Sequence, residues 1–121
     1  MTRQTTVTGE KSATDLDRIV CPVARTAEIV SGKWTLLIIR DLTEGTKRFS
    51  ELERSLEGIS PKTLSERLTA LEREGMLHRQ TYAEVPPKVE YSLTEKGHAL
   101  ATLIDAMREY GIKWLGCQSH E

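Results

Sequence analysis

Cysteine is scarce and histidine scattered in this 121-residue chain. The two cysteines, Cys21 and Cys117, stand near opposite ends with no C-x-x-C pair and no metal-ligand spacing, and His78, His98 and His120 join neither in a recognisable motif. The pattern offers no metal site, no cofactor signature and no thiol enzyme, since no base neighbours either cysteine in the sequence. Long apolar runs are also missing. Nothing approaches the roughly 20 residues of a membrane span, and the N-terminus lacks a signal-peptide core, so a cytoplasmic protein without a membrane partner is expected. Nor is there an excess of positive charge. Lys and Arg number 17 against 18 Asp and Glu, giving a net charge of −1 and a pI near 6.3. That balance counts against a protein that works through bulk basic charge, and any polyanion-binding surface must come from placement. Hydrophobic residues at 38% and charged ones at 29% suit one globular domain with a modest core.

What is present centres on residues 49–77, FSELERSLEGISPKTLSERLTALEREGML. The spacing predicts two helices joined by a tight turn. In the first, Leu52 and Leu56 lie one turn apart, and Ser50 with Glu53 has the form of a capping box. The break falls at Gly58. Ser60 then offers an N-cap hydroxyl, and Pro61 suits the first helical position because its missing N–H needs no partner there. Leu64, Leu68 and Leu71 form an apolar stripe. Gly75 supplies a left-handed stop, with Met76 placed to touch Leu71 as in a Schellman motif. Lys62, Glu66, Thr69 and Arg73 lie opposite the stripe, flanked by Thr63, Ser65 and Arg67. Small, hydroxylic and cationic side chains of this kind can enter a major groove and bond base edges and phosphates. A solvated helix face is the plain alternative. A short helix, a Gly-containing turn and a doubly capped second helix in succession favour a helix-turn-helix.

Residues 1–13 are polar and Thr-rich, which predicts a disordered tail. A short helix over residues 14–20 would bury Leu16, Ile19 and Val20. Cys21-Pro22 opens the next helix, which Ser31-Gly32 ends. Residues 33–43, KWTLLIIRDLT, read as a helix that is apolar almost all round, hence a central core element; a buried strand is the competing reading. Trp34 is expected as an anchor in the core or at a subunit contact. After the two-helix unit the period changes. Residues 78–82 and 89–93 predict two strands, the second alternating Val89, Tyr91 and Leu93. Between them, Pro86-Pro87 would stiffen a hairpin tip and leave Lys88 exposed beside it. A ribbon directly after a presented helix is the wing of a winged helix, where Pro87 and Lys88 would meet flanking DNA; a mere surface hairpin is the alternative.

Thr94 is expected to cap a last helix running to about Gly116, with Leu100, Leu103, Ile104, Met107, Gly111, Trp114 and Leu115 in one stripe. About 20 helical residues span roughly 30 Å, more apolar surface than so small a core covers. Part of the stripe, through Leu103, Met107, Gly111 and Trp114 together with Leu16 and Ile19, is therefore expected to bury against a second copy. Packing wholly on the helix near Leu16 is the alternative. The fold class is mainly α with a small β-hairpin wing, over residues 14–121.

Six runs, CPV, GKWTLLIIRDL, RFSEL, GISPKTLSERL, LEREGM and VPPKVEYSLTEKG, together resemble the HxlR-type transcriptional regulators, a branch of the bacterial winged helices related to MarR proteins. The resemblance covers residues 21–97, about two thirds of the chain. It implies a homodimer on a roughly palindromic DNA operator, dimerising through N- and C-terminal helices. The helix over residues 60–73 would lie in the major groove and the Pro86-Pro87-Lys88 wing on flanking DNA. Ser60, Lys62, Thr63, Ser65, Arg67, Thr69, Pro87 and Lys88 are then the candidate DNA contacts. It also implies that a cysteine at the position of Cys21 can sense oxidants or electrophiles, with Cys117 as a candidate partner. A thiolate at a helix N-terminus is stabilised by free N–H groups and the helix dipole, so the chemistry permits it. A small buried structural cysteine is the alternative. No polar constellation specifies a small-molecule effector. The competing function, a winged helix used only for protein interaction, is kept alive by the near-neutral charge, and salt-insensitive or absent duplex binding would favour it.

Overall fold

The structure is a computed structural model and describes residues 21–118. These fall into two units, one ending at Ser31 and the other beginning at Gly32. The tail over residues 1–13, the helix over 14–20 and with them Leu16 and Ile19 lie outside the described residues.

The described part of the first unit is one helix, α1 (Pro22–Ile29). Pro22 takes the first position as expected. Cys21 is the N-cap, and its Sγ accepts from the Ala24 N–H at 3.4 Å. None of the side chains of α1 is buried.

The second unit is built on α2 (Lys33–Leu42), the helix rather than the strand of the two readings. Its all-round apolar character has a two-sided use. Thr35, Ile38, Ile39 and Leu42 are buried in the core, while Leu36 and Leu37 line a groove of about 280 Å³ against the last helix. Asp41 is buried on the core side. It accepts from Arg40 Nε and Nη2 at 3.2 and 2.9 Å and from Ser55 Oγ at 2.6 Å, so the carboxylate has charged and neutral donors in place of water. The Ser55 bond ties α2 to the end of α3 (Phe49–Ser55).

The capping of α3 differs from expectation. The N-cap is Arg48 rather than Ser50, and its N–H donates to Glu51 Oε1 at 2.8 Å. The cap lies two residues earlier because residues 47–48 are already extended, pairing as strand β1 (Lys47–Arg48). With β2 (Leu77–Tyr82) and β3 (Lys88–Leu93) this makes a three-stranded antiparallel sheet in the order β1-β3-β2, one strand more than the two-stranded wing. Between α3 and β2 runs α4 (Pro61–Arg73), whose Leu64, Leu68 and Leu71 are buried as the stripe predicted. Leu52, Leu56, Ile59, Met76, Leu77, Tyr91, Leu93 and Ile104 complete the core.

The long last helix is interrupted. It consists of α5 (Glu95–His98) and α6 (Ala101–Trp114), separated at Ala99-Leu100 where Leu100 N–H bonds to Gly97 O at 3.0 Å in the tighter i→i−3 manner. Gly97 is the physical cause of α5's position, since it is buried directly against the Met76 carbonyl and Leu93. Fourteen helical residues give α6 a length of roughly 21 Å, not 30 Å.

Gly97→Ala would press a Cβ into the Met76 carbonyl and to 2.9 Å from Leu93 Cδ2. Overpacking of this kind destabilises by roughly 1–3 kcal/mol, at about 4–8 °C in Tm per kcal/mol for a domain of this size. Thermal unfolding checks it, and an unchanged Tm would mean that α5 is not held at that carbonyl.

Candidate nucleic-acid interface

The outward face of α4 is fixed by how both its ends are tied. At the N-terminus, Ser60 Oγ accepts from the Thr63 N–H at 3.1 Å and donates to Thr63 Oγ1 at 3.0 Å, while Pro61 takes the first position. At the C-terminus, Met76 N–H bonds to Leu71 O at 2.9 Å and Gly75 N–H to Glu72 O at 3.0 Å, with Gly75 at φ 78°, which is the Schellman pattern. Further donors meet the two carbonyls that follow Arg73. Thr94 Oγ1 donates to Gly75 O at 2.6 Å and Lys96 Nζ to Glu74 O at 2.8 Å, placing a cation at the negative end of the helix. Sequence reasoning missed Lys96, because its partner lies 22 residues away.

With the stripe buried and both ends held, Lys62, Ser65, Glu66, Thr69 and Arg73 are exposed on the opposite face, and Thr63 and Arg67 are half-buried on its flanks. The structure thus brings Ser60, Lys62, Thr63, Ser65, Arg67 and Thr69 onto one exposed side of one helix. Its charges are partly spent on one another. Lys62 Nζ is 3.4 Å from Glu66 Oε2, and Arg79 Nε on β2 is 3.5 Å from Glu72 Oε1. Exposed pairs like these are worth little and exchange readily for other partners.

The wing carries a correction. Lys88 is not exposed beside the tip; only 23% of its side chain is accessible, and its ammonium lies 3.8 Å from both Glu84 and Glu90 and 4.5 Å from the Tyr82 ring centroid. Two carboxylates against one ammonium leave this end of the hairpin net negative. The residues that project are apolar, with Pro87 exposed and Val85 fully so. Burial pushes the Tyr91 phenol above its ordinary range, opposed by Arg79 and reinforced by Glu72, so it acts as a neutral core hydroxyl under the sheet.

The other candidate residues are placed as follows. Cys21 is half-buried at the start of α1, Cys117 is exposed beyond α6, and both are free thiols in different units. On α6, Leu103 is half-buried while Met107 and Trp114 are 47% and 65% exposed, an apolar face left open to solvent. The close approach expected at Gly111 is occupied within the chain itself. Cys117 Sγ stands 3.5 Å from where a Cβ on Gly111 would be, and the Cys117 N–H bonds to Gly111 O at 3.2 Å. No helix among the described residues is long and apolar enough to cross a membrane.

A helical core that presents a doubly capped helix beside a β-hairpin is a winged helix-turn-helix, the DNA-binding fold of many transcriptional regulators. The sequence model of the HxlR-like helix-turn-helix family matches residues 29–119. YdeP of Bacillus subtilis strain 168, an HTH-type transcriptional regulator, is 44% identical over 94 residues, covering 78% of this chain and 73% of that protein. A MarR-family transcriptional regulator from Porphyromonas gingivalis W83 has a similar crystal structure, with a TM-score of 0.76 and 36% identity over 91% of this chain and 99% of that one. The redox regulator HypR in its oxidised form gives a TM-score of 0.72 at 41% identity, covering 77% of this chain and 96% of that one. The protein belongs to the HxlR-like helix-turn-helix family of transcriptional regulators.

Replacing Glu84 and Glu90 together by Gln would free Lys88 for an external anion. Duplex DNA affinity should rise several-fold at low salt, and the log–log salt slope should steepen by up to about 0.9. An unchanged slope would mean that Lys88 stays off the DNA.

Proposed function

We propose that the protein is a sequence-specific DNA-binding transcriptional regulator acting as a homodimer on a palindromic operator. The observation that carries this reading is α4, capped at both ends and turning an unbroken polar face to solvent. In this reading α4 lies in the major groove. Ser65 and Thr69 meet base edges with their small hydroxyls. Lys62, Ser60 and Thr63 at its start meet bases or phosphates, Lys62 leaving Glu66 to do so. The wing rests on the flanking duplex through the exposed Pro87, with Lys88 reaching a phosphate only by leaving Glu84 and Glu90. The apolar face of α6, with Leu103, Met107 and Trp114, joins a second copy together with the segment that carries Leu16 and Ile19. A two-fold dimer then sets its recognition helices about one duplex turn, roughly 34 Å, or a multiple apart.

Cys21 is the proposed sensing thiol and Cys117 its candidate partner. Support comes from the N-cap geometry of Cys21 and from the likeness to HypR, itself a redox regulator. The effector in this reading is an oxidant or electrophile acting at Cys21 Sγ; a small molecule held in the groove beside Leu36 and Leu37 is the other source of control. The pairing of Lys62, Arg79 and Lys88 with carboxylates favours one rival reading, a winged helix that serves protein contacts alone.

Titration of an operator duplex tests the main reading. Lys62→Ala or Ser65→Ala should each weaken binding by roughly 1–3 kcal/mol while the protein still sediments as a dimer. Wild-type affinity in both variants would remove this face from the site. Mild oxidation should abolish binding reversibly in the wild type and not in Cys21→Ser; loss in both, or in neither, would end the sensor role of Cys21.

A further inference from the structure

Arg67 differs from three of the cations near α4. Lys62, Arg79 and Lys88 each have a carboxylate within 4 Å. The Arg67 side chain has no ion pair and no hydrogen bond among the described residues, and its Nε is buried with no partner at all. The Nη atoms are not among the buried ones, and as charged donors without a partner they can take an anion. What it faces is informative. Arg67 leans off the flank of α4 toward the start of α2, where its Nη2 is 3.8 Å from the point at which a Cβ on Gly32 would stand. Gly32 is the N-cap of α2 and has no side chain to accept from the first N–H groups of that helix. Those groups are therefore left without a side-chain cap at the positive end of the helix dipole. Lys33 follows, exposed, with its ammonium 4.6 Å from the Trp34 ring centroid. The Arg67 guanidinium, an open set of N–H donors and a residue without a side chain thus meet at the start of α2, with Lys33 the first residue of that helix.

We propose that this corner clamps one phosphodiester of the DNA backbone. The inference rests on the reading of α4 as the helix in the major groove, because a helix lying there has backbone phosphates along its flanks, which is where Arg67 projects. One anionic oxygen takes the Arg67 guanidinium, whose planar fork suits it, and the other takes the N–H groups at the start of α2, with Lys33 adding charge. Gly32 keeps the approach open. Arg67 then anchors the register of α4 and contributes to affinity without choosing a base, unlike Ser65 and Thr69 on the central face.

Single methylphosphonate substitutions along a bound duplex, scanned against wild type, Arg67→Gln and Lys33→Gln, test the clamp. Wild type should lose affinity several-fold at one phosphate per half-site, and its salt slope should fall by about 0.9 for each such contact removed. Arg67→Gln should lose a similar factor on the unmodified duplex, be indifferent to the substitution at that phosphate, and select the same base sequence as wild type. Lys33→Gln, at an exposed position outside α4, should show the same non-additivity and keeps the test open if Arg67→Gln fails to fold. Wild-type affinity and slope in both variants, or full additivity at every phosphate, would overturn the clamp while leaving the regulator reading in place. A changed base preference at one operator position would make Arg67 a base reader instead. Wild type that binds no duplex would sink the regulator reading, and the clamp with it.

Discussion

Burial of the Leu64, Leu68 and Leu71 stripe of α4 in the core that Ile38 and Ile39 of α2 also occupy is the constraint on which the rest depends. A fully buried Leu is worth about 1.5–3 kcal/mol relative to exposure, so three of them fix the rotation of α4 about its own axis. The rotation decides which residues meet solvent. No separate device is needed to present Lys62, Ser65 and Thr69, since they lie on the far side of the stripe. The caps then fix translation along the axis. Ser60 and Pro61 hold one end, and the Schellman turn at Gly75-Met76 with Thr94 and Lys96 holds the other. The Asp41–Ser55 bond keeps the preceding helix in place, so the turn between α3 and α4 opens at a defined point.

Electrostatics follow placement rather than total charge. A net charge of −1 gives no general attraction to a polyanion. Locally, Lys62, Arg79 and Lys88 sit within reach of carboxylates they can leave, which would make an external anion's binding there an exchange of partners. Arg67 has no partner to leave, and Lys88 has two. The two residues therefore occupy opposite ends of a scale that composition alone does not display.

What was legible in the sequence was local or periodic. The leucine stripe, both caps of α4 and Pro22 at the start of α1 are short-range patterns with counterparts in the structure, and of the Val89-Tyr91-Leu93 alternation Tyr91 and Leu93 are buried while Val89 is half-buried like its neighbours. Properties set by distant neighbours were not legible. Strand β1 is two residues long and exists because β3 lies alongside it, which also moves the cap of α3 from Ser50 to Arg48. The interruption between α5 and α6 follows Gly97, which packs on a carbonyl 21 positions earlier in the chain, a contact no helical periodicity reports. Lys88 reads as an exposed wing cation until its two carboxylates are placed in space. The fold class and the face of α4 were thus readable, whereas the charge state of that face was not.

The central claim is that the polar face of α4 in a two-fold dimer reads a palindromic DNA sequence. Selection of bound duplexes from a random pool by the reduced protein, followed by titration of the winner at two salt concentrations, tests it most directly. The account predicts an enriched palindrome with half-sites about one helical turn, or a multiple, apart and an affinity that falls steeply with salt. A folded dimer that enriches no sequence, or binding that ignores salt, would contradict it.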